Sequence, residues 1–191
     1  VIGIVNALRH AGLKPNPERD EPAVIGGGAT AISALTALHK LGYRRASVYA
    51  RSLHKLGDLQ AVAERLGVQL EQISLSELPQ NLAERGHHPV SSTLPAHAAD
   101  EWASQLSGLK GACATHRPVL LDVAYNPWPS ALASAWEANG GTVVSGLEML
   151  LYQAVEQVLL FTDRTLQPAE LLGLVNAMCA AVDLPPRASV S

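Results

Sequence analysis

Short apolar runs alternate with helical patterns along most of the chain. Apolar runs bounded by turn residues predict buried strands, whereas apolar residues repeated every three or four positions predict helices. The predicted strands cover 22–25, 46–50, 68–73, 88–91, 119–123 and 142–144. The predicted helices cover 29–41, 53–66, 75–84, 98–106, 147–162 and 168–182. Their strict alternation predicts an α/β, Rossmann-like doubly wound parallel sheet with helices on both faces.

The chain opens in a helical pattern without a helix start signal. Ile4, Leu8 and Ala11 form one apolar stripe, yet no capping residue precedes Val1. We therefore expect that a segment has been removed from the N-terminal side of Val1.

Composition and charge favour a folded protein and argue against nucleic-acid and membrane partners. With 191 residues, 48% hydrophobic and 16% charged, the chain suits one folded domain. A net charge of −3 and scattered arginines provide no basic surface, which argues against a nucleic-acid partner. Neither a long uncharged apolar segment nor a signal-peptide pattern is present, so we expect no membrane partner. Two cysteines without a disulfide pattern indicate a cytoplasmic location.

The cysteines and histidines do not form recognisable sites. Cys113 and Cys179 are far apart and lack a CxxC motif, which favours reduced, buried thiols. His87, His88 and His116 lack the spacing of metal ligands. We predict no metal.

A glycine motif follows the first predicted strand. Gly26-x-Gly28-x-x-Ala31 lies between a strand and a helix, which is the context of a dinucleotide-binding fingerprint. Gly26 permits the tight turn, Gly28 lets the main chain approach a pyrophosphate, and Ala31 lets the helix pack on the strand. The alternative is a flexible linker, but a linker would not be bracketed by a strand and an amphipathic helix.

The end of the second strand indicates which dinucleotide binds. NAD-binding proteins place a carboxylate there, whereas this chain has Ala50-Arg51-Ser52. Arg51 offers a planar donor fork suited to a phosphate, Ser52 a hydroxyl, and Lys55 a second cation. The predicted cofactor is NADP. The alternative is that Arg51 and Lys55 are ordinary surface charges.

Four segments in this order resemble the C-terminal, NADP-binding half of shikimate dehydrogenase. They are VIGGGATA (24–31), ARSxxK (50–55), DVAYNP (122–127) and GLEMLLYQA (146–154). The resemblance extends from Val1 to about Thr162. It implies NADPH-dependent reduction of 3-dehydroshikimate to shikimate, a step of aromatic amino acid biosynthesis.

The resemblance also implies site residues. Implied cofactor-binding residues are Gly26, Gly27, Gly28, Ala29, Thr30, Ala50, Arg51, Ser52, Lys55, Thr93, Val123 and Gly146. Implied substrate-binding residues are Tyr125 and Gln153. Gln153 belongs to an apolar helical stripe, so we expect its amide to need a partner, either ligand or backbone. Two asparagines usual in the family are absent, at Ala50 and Ser91.

The same resemblance assigns the catalytic lysine and aspartate to an N-terminal domain that is missing here. The family carries Asn-Thr-Asp-x-x-Gly at the domain junction, and Val1-Ile2-Gly3 resembles its last three positions. We therefore expect one NADP-binding domain over 1–191, with a connecting helix in 1–20 and C-terminal helices in 147–182. This fragment should bind NADP but lack activity, and shikimate or 3-dehydroshikimate would bind together with the missing domain.

Two other functions stay open on sequence grounds. One is a stand-alone NADP-binding or sensing module, and the other is a sister dehydrogenase acting on quinate with NAD. Arg51 and the absence of an acid at position 50 argue against NAD. A homodimer is one option for the assembly. Asp122 is expected to hold neighbouring backbone rather than to act as a catalytic acid.

Overall fold

A single parallel sheet organises the chain. The computed structural model describes residues 1–106 and 117–189. Its strands are β1 Ala23–Ile25, β2 Arg45–Ala50, β3 Gln69–Ser74, β4 Val90–Ser92, β5 Val119–Asp122 and β6 Thr142–Ser145. The strand order is β3-β2-β1-β4-β5-β6 and every pairing is parallel. This is the doubly wound order of a Rossmann-like sheet, and the predicted fold class is confirmed.

Helices precede, connect and follow the strands. They are α1 Ile2–His10, α2 Ala29–Lys40, α3 Gly57–Leu66, α4 Leu78–Arg85, α5 Asp100–Ala103, α6 Ala131–Ala138, α7 Gly146–Thr162 and α8 Pro168–Ala181. Two 3₁₀ turns, Leu53–Lys55 and Leu75–Glu77, precede α3 and α4. Within residues 1–106 and 117–189, no helix has both the length and the hydrophobicity to cross a bilayer, and no three His, Cys, Asp or Glu side chains form a metal-binding group.

The central strands of the sheet are buried on both faces. Along β1, Val24 packs into a core shared with α1, α2, α3 and α7, whereas Ala23 and Ile25 pack into a second core with α4 and α6. All three side chains have 0% exposure. Alternation of side chains along a strand explains this division, and apolar residues at every position are what a doubly covered parallel strand needs.

Several helix boundaries differ from the predicted ones. The helix expected over 53–66 is interrupted at Leu56, which ends a 3₁₀ turn and precedes the first residue of α3. The helix expected over 98–106 is a regular α-helix only over α5. The prediction missed α6 because its alanine-rich sequence has weak periodicity. The helix begins after its N-cap Ser130, and it packs inward through Trp136, which is 1% exposed.

The first helix packs closely on α7. A methyl group at Gly3 would lie 2.4 Å from the Met149 carbonyl oxygen, so the two helices approach through a residue without a side chain. Ile4 and Leu8 then join the core with 2% and 0% exposure. The uncapped sequence pattern thus corresponds to a helix, as predicted.

The predictions for the cysteines and histidines can be compared with the structure at Cys179 and His87. Cys179 is a free, buried thiol in the small core between α7 and α8. Cys113 and His116 lie outside the described residues. His87 is buried and contacts Tyr49, whose hydroxyl lies 2.6 Å from its Nε2 atom.

Candidate dinucleotide-binding site

The predicted cofactor residues lie along one edge of the sheet. Ile25 is paired with both Tyr49 and Ser92, and Asp122 is paired with Ser92 and Ser145, so the carboxyl ends of five strands are in register. The segments that follow these ends carry the glycine loop, Arg51, Thr93, Val123 and Gly146. Strand order reverses between β1 and β4, and doubly wound sheets bind ligands at that position.

The glycine loop is held at the switch point by backbone contacts. Gly26 has φ of +112°, which an L side chain rarely adopts, and its N–H donates to the Tyr49 carbonyl at 2.8 Å. A methyl group at Gly26 would lie 2.4 Å from Thr93 Oγ1. Thr93 donates from both its amide (2.7 Å) and its hydroxyl (2.9 Å) to the Ile25 carbonyl. These bonds tie the loop after β4 to the glycine turn.

The loop then opens into the N-terminus of α2. Gly28 is the N-cap, and a methyl group added there would contact nothing within 4 Å. In the described part of the chain no side chain caps this helix, and its first turn contains no acidic residue. Gly28 and Ala29 are exposed. The first N–H groups of α2 and the positive end of its dipole therefore face open space, which suits an anion.

The end of β2 carries two exposed cations. Arg51 and Lys55 are exposed, and neither forms an ion pair or side-chain hydrogen bond with any residue that the structure describes. The Lys55 amide donates to the Ser52 carbonyl at 3.1 Å, which closes the turn between them. Ala50 is 6% exposed, so its side chain belongs to the core. The arrangement offers two positive charges beside the glycine loop.

The ends of β5 and β6 meet through another glycine. A methyl group at Gly146 would lie 1.9 Å from the Val123 carbonyl oxygen, which no side chain could accommodate without backbone movement. The Gly146 amide donates to the Ala124 carbonyl at 3.2 Å. The start of α7 is thus pressed against the loop after β5. In the same loop Tyr125 is 52% exposed and faces solvent.

The expectation for Gln153 needs correction. It lies on α7 with an exposed side chain, and the buried residues of this helix include Leu151, Tyr152 and Val155 instead. An amide in solvent has water as a partner, so burial imposes no need for a ligand. Gln153 does lie beside Gly3 of α1, since a methyl group at Gly3 would be 3.2 Å from its Cβ atom.

Asp122 is engaged in a local network. Its Oδ1 accepts from the Ala124 amide at 3.2 Å, and its Oδ2 accepts from the Ser130 hydroxyl at 2.6 Å. The Ser130 oxygen in turn accepts from the Ala133 amide at 3.0 Å and caps α6. Burial raises the pKa of Asp122, and these hydrogen bonds oppose the rise. The carboxylate supports the loop that carries Val123, which is the structural role expected for it.

Sequence reasoning missed two residues of this edge. Ser130 carries a signal that was available, since a serine ahead of an alanine-rich run is a helix N-cap pattern. Leu56 carries no such signal. Its side chain is 2% exposed and packs against Gly27, a contact between residues that are distant in sequence.

A cleft of about 520 Å³ lies at the opposite, amino edge of the sheet. Arg45, the first residue of β2, lines this cleft, so it lies at the opposite end of the strand from Arg51. In this cleft Arg85 already pairs with Glu71 at 2.6 Å. We assign it no part in nucleotide binding, because ligands of doubly wound sheets bind at the carboxyl edge.

Comparison with known proteins supports the resemblance. No family model matches the chain. It is 30% identical over 185 residues to the pentafunctional AROM polypeptide of Schizosaccharomyces japonicus, covering 93% of this chain and 12% of that polypeptide. It is 33% identical to Mycobacterium tuberculosis shikimate dehydrogenase, covering 94% of this chain and 60% of that one with a TM-score of 0.73.

A third relative shares the fold alone. Quinate dehydrogenase from Corynebacterium glutamicum, solved in complex with NAD, is 20% identical with a TM-score of 0.70, covering 93% of this chain and 60% of that one. The chain therefore spans only part of the length of each of these relatives. The family resemblance read from the motifs is confirmed, and this chain is related in sequence and fold to the C-terminal part of shikimate dehydrogenases, about 60% of such a chain.

Proposed function

We propose that this chain is the NADP-binding part of a shikimate dehydrogenase, which reduces 3-dehydroshikimate to shikimate with NADPH. The observation that carries the proposal is the pair of exposed cations, Arg51 and Lys55, which have no side-chain partner among the described residues and lie next to an open helix N-terminus. The helix N-terminus suits a pyrophosphate, and the guanidinium fork of Arg51 suits the additional phosphate that distinguishes NADP from NAD.

The residues of this edge support NADP as the cofactor. Space beyond Gly28 is open, so the main chain of 26–30 can approach a diphosphate. The end of β2 carries positive charge in Arg51 and Lys55, and the Ser52 hydroxyl adds a donor. A ribose with a 2′-phosphate is accommodated there better than one with a free 2′-hydroxyl, which needs a carboxylate acceptor.

The remaining residues of this edge would contact the nicotinamide ring and the substrate. Thr93, Val123 and Gly146 follow β4, β5 and β6 and would line the nicotinamide pocket. Bound NADPH supplies a hydride, and this chain's task is to hold the donor ring in one orientation. Tyr125 and Gln153 would contact the substrate from this side of the cleft. The proton for the carbonyl oxygen of the substrate would come from the N-terminal domain that carries the family's catalytic lysine and aspartate.

The proposal is tested by calorimetric titration of the chain with NADP and with NAD. We expect tighter binding of NADP, and Arg51→Ala should weaken this preference by about 1.5–3 kcal/mol, the value of a hydrogen bond to a charged group. Arg45→Ala is the matched control, because it removes the same side chain from the opposite end of the same strand. It should leave the preference unchanged.

Equal affinities of the unsubstituted chain for NADP and NAD would contradict the NADP assignment. Binding of neither nucleotide would contradict the site itself. If both bind and Gly28→Val leaves both affinities unchanged, the glycine loop does not contact the pyrophosphate, because a branched side chain there would fill the open space.

A further inference from the structure

Leu56 lies between the two anion-binding segments of the proposed site. Its side chain is 2% exposed. A methyl group at Gly27 would lie 2.4 Å from Leu56 Cδ2 and 3.7 Å from the Cβ atom of Ala50. The missing side chain at Gly27 therefore makes room for Leu56, which joins the glycine loop to the end of β2.

The backbone of Leu56 extends this contact to the cation-bearing turn. Its amide donates to the Leu53 carbonyl at 3.1 Å and closes the 3₁₀ turn that contains Lys55. Its carbonyl accepts from the Gln60 amide at 2.8 Å and begins α3. A shift of the Leu56 side chain would thus move the turn relative to the glycine loop, because one residue belongs to both.

The separation of the two segments matters for a ligand that contacts both. A pyrophosphate and a 2′-phosphate are joined covalently within one nucleotide, which limits the distance between them, so the cations gain most when the turn is already in place. NAD lacks the 2′-phosphate, so it places no anion against the cations of the turn. Any movement of the turn should therefore weaken binding of NADP more than that of NAD.

We infer that Leu56 is a positioning residue that sets the preference for NADP over NAD through its contact with Gly27. This inference deepens the proposed function and rests on it. Leu56 does not contact the phosphate groups itself. It fixes the distance from the loop at 26–28 to the turn at 51–55.

The test measures the ratio of NADP to NAD affinity by calorimetry in substituted chains. Leu56→Ala should lower the ratio about tenfold, equivalent to one lost hydrogen bond to a charged group. Leu59→Ala is the matched control, because Leu59 is 1% exposed in the same core and lies one turn further along α3. It should lower stability but change the ratio by less than about twofold.

Added volume at Gly27 provides a second, independent test. Gly27→Ala should also lower the ratio, since its methyl group displaces Leu56 Cδ2. Combined with Leu56→Ala, it should cause a smaller loss than the two single losses together, because the clashing atom is gone. Gly57→Ala is the control, since a methyl group there meets nothing within 4 Å.

The outcomes separate this inference from the proposed function. If Arg51→Ala abolishes the preference but Leu56→Ala changes the ratio by less than about twofold, the positioning role is overturned and the proposed function stands. If the unsubstituted chain shows no preference for NADP, both are overturned. If Leu56→Ala does not fold, Leu56→Val, which leaves a smaller cavity, is judged by the same criterion.

Discussion

Ser130→Ala should destabilise the protein by more than a surface serine normally does. The Ser130 oxygen accepts from the Ala133 amide and its hydroxyl donates to Asp122 Oδ2. Loss of a helix N-cap costs about 1 kcal/mol, and loss of a hydrogen bond to a buried carboxylate costs about 1.5–3 kcal/mol. Since one side chain makes both bonds, we expect the free energy of unfolding to fall by about 2–4 kcal/mol in total.

The size of this loss should depend on pH. Burial raises the pKa of Asp122 above its ordinary value of 3.8, so the folded protein holds this proton more tightly than the unfolded chain. The contribution of Asp122 to stability therefore falls as pH rises above 3.8. Ser130→Ala removes a bond that favours the charged form and raises this pKa further. Its cost should consequently be greater at neutral pH than near pH 3.8.

Urea unfolding followed by circular dichroism at two pH values measures both effects. Ser134→Ala is the control, because Ser134 is exposed on the same helix, and its cost should stay below about 0.5 kcal/mol. A loss from Ser130→Ala that equals this control would show that the network does not stabilise the fold. A large loss that is the same at both pH values would show that Asp122 is not the group involved.

Three other substitutions test single contacts by urea unfolding. Gly146→Ala should cost about 3 kcal/mol, because its methyl group meets the Val123 carbonyl, and a cost near zero would contradict the close approach. Gly3→Ala should lower the free energy of unfolding by about 1–3 kcal/mol, because its methyl group meets the Met149 carbonyl, and an unchanged unfolding midpoint would contradict that packing. Burial lowers the pKa of His87, so stability should fall as pH drops below 6.5, and His87→Gln should lessen that fall. An identical pH profile in both proteins would refute this.

Regular elements of this fold could be predicted because their signals are local. The run Ala46–Ala50 is apolar except for Ser47 and is bounded by polar residues, and it forms most of β2. The strict order of strands and helices then leaves few topologies. In contrast, α6 has a local cap signal at Ser130 but weak periodicity, and its packing depends on Trp136, whose ring nitrogen donates to the Pro118 carbonyl 18 residues earlier. A signal that depends on a distant contact cannot be read from periodicity.

In the candidate site, too, features with local signals could be predicted and features that depend on distant contacts could not. The glycine loop and Arg51 follow strand ends, so topology alone places them at one edge. The close approach of Gly27 to Leu56 could not be predicted, because it depends on how α3 begins after the 3₁₀ turn. The exposure of Gln153 was also hidden, since an apolar pattern around it on α7 does not show which side packs inward.

The most direct measurement is a crystal structure of the chain grown with NADP. We expect density for the pyrophosphate against the amides of 26–30 and for the 2′-phosphate within hydrogen-bond distance of Arg51. Nucleotide bound at the amino-edge cleft, or at the carboxyl edge with its 2′-phosphate away from Arg51 and Lys55, would contradict it.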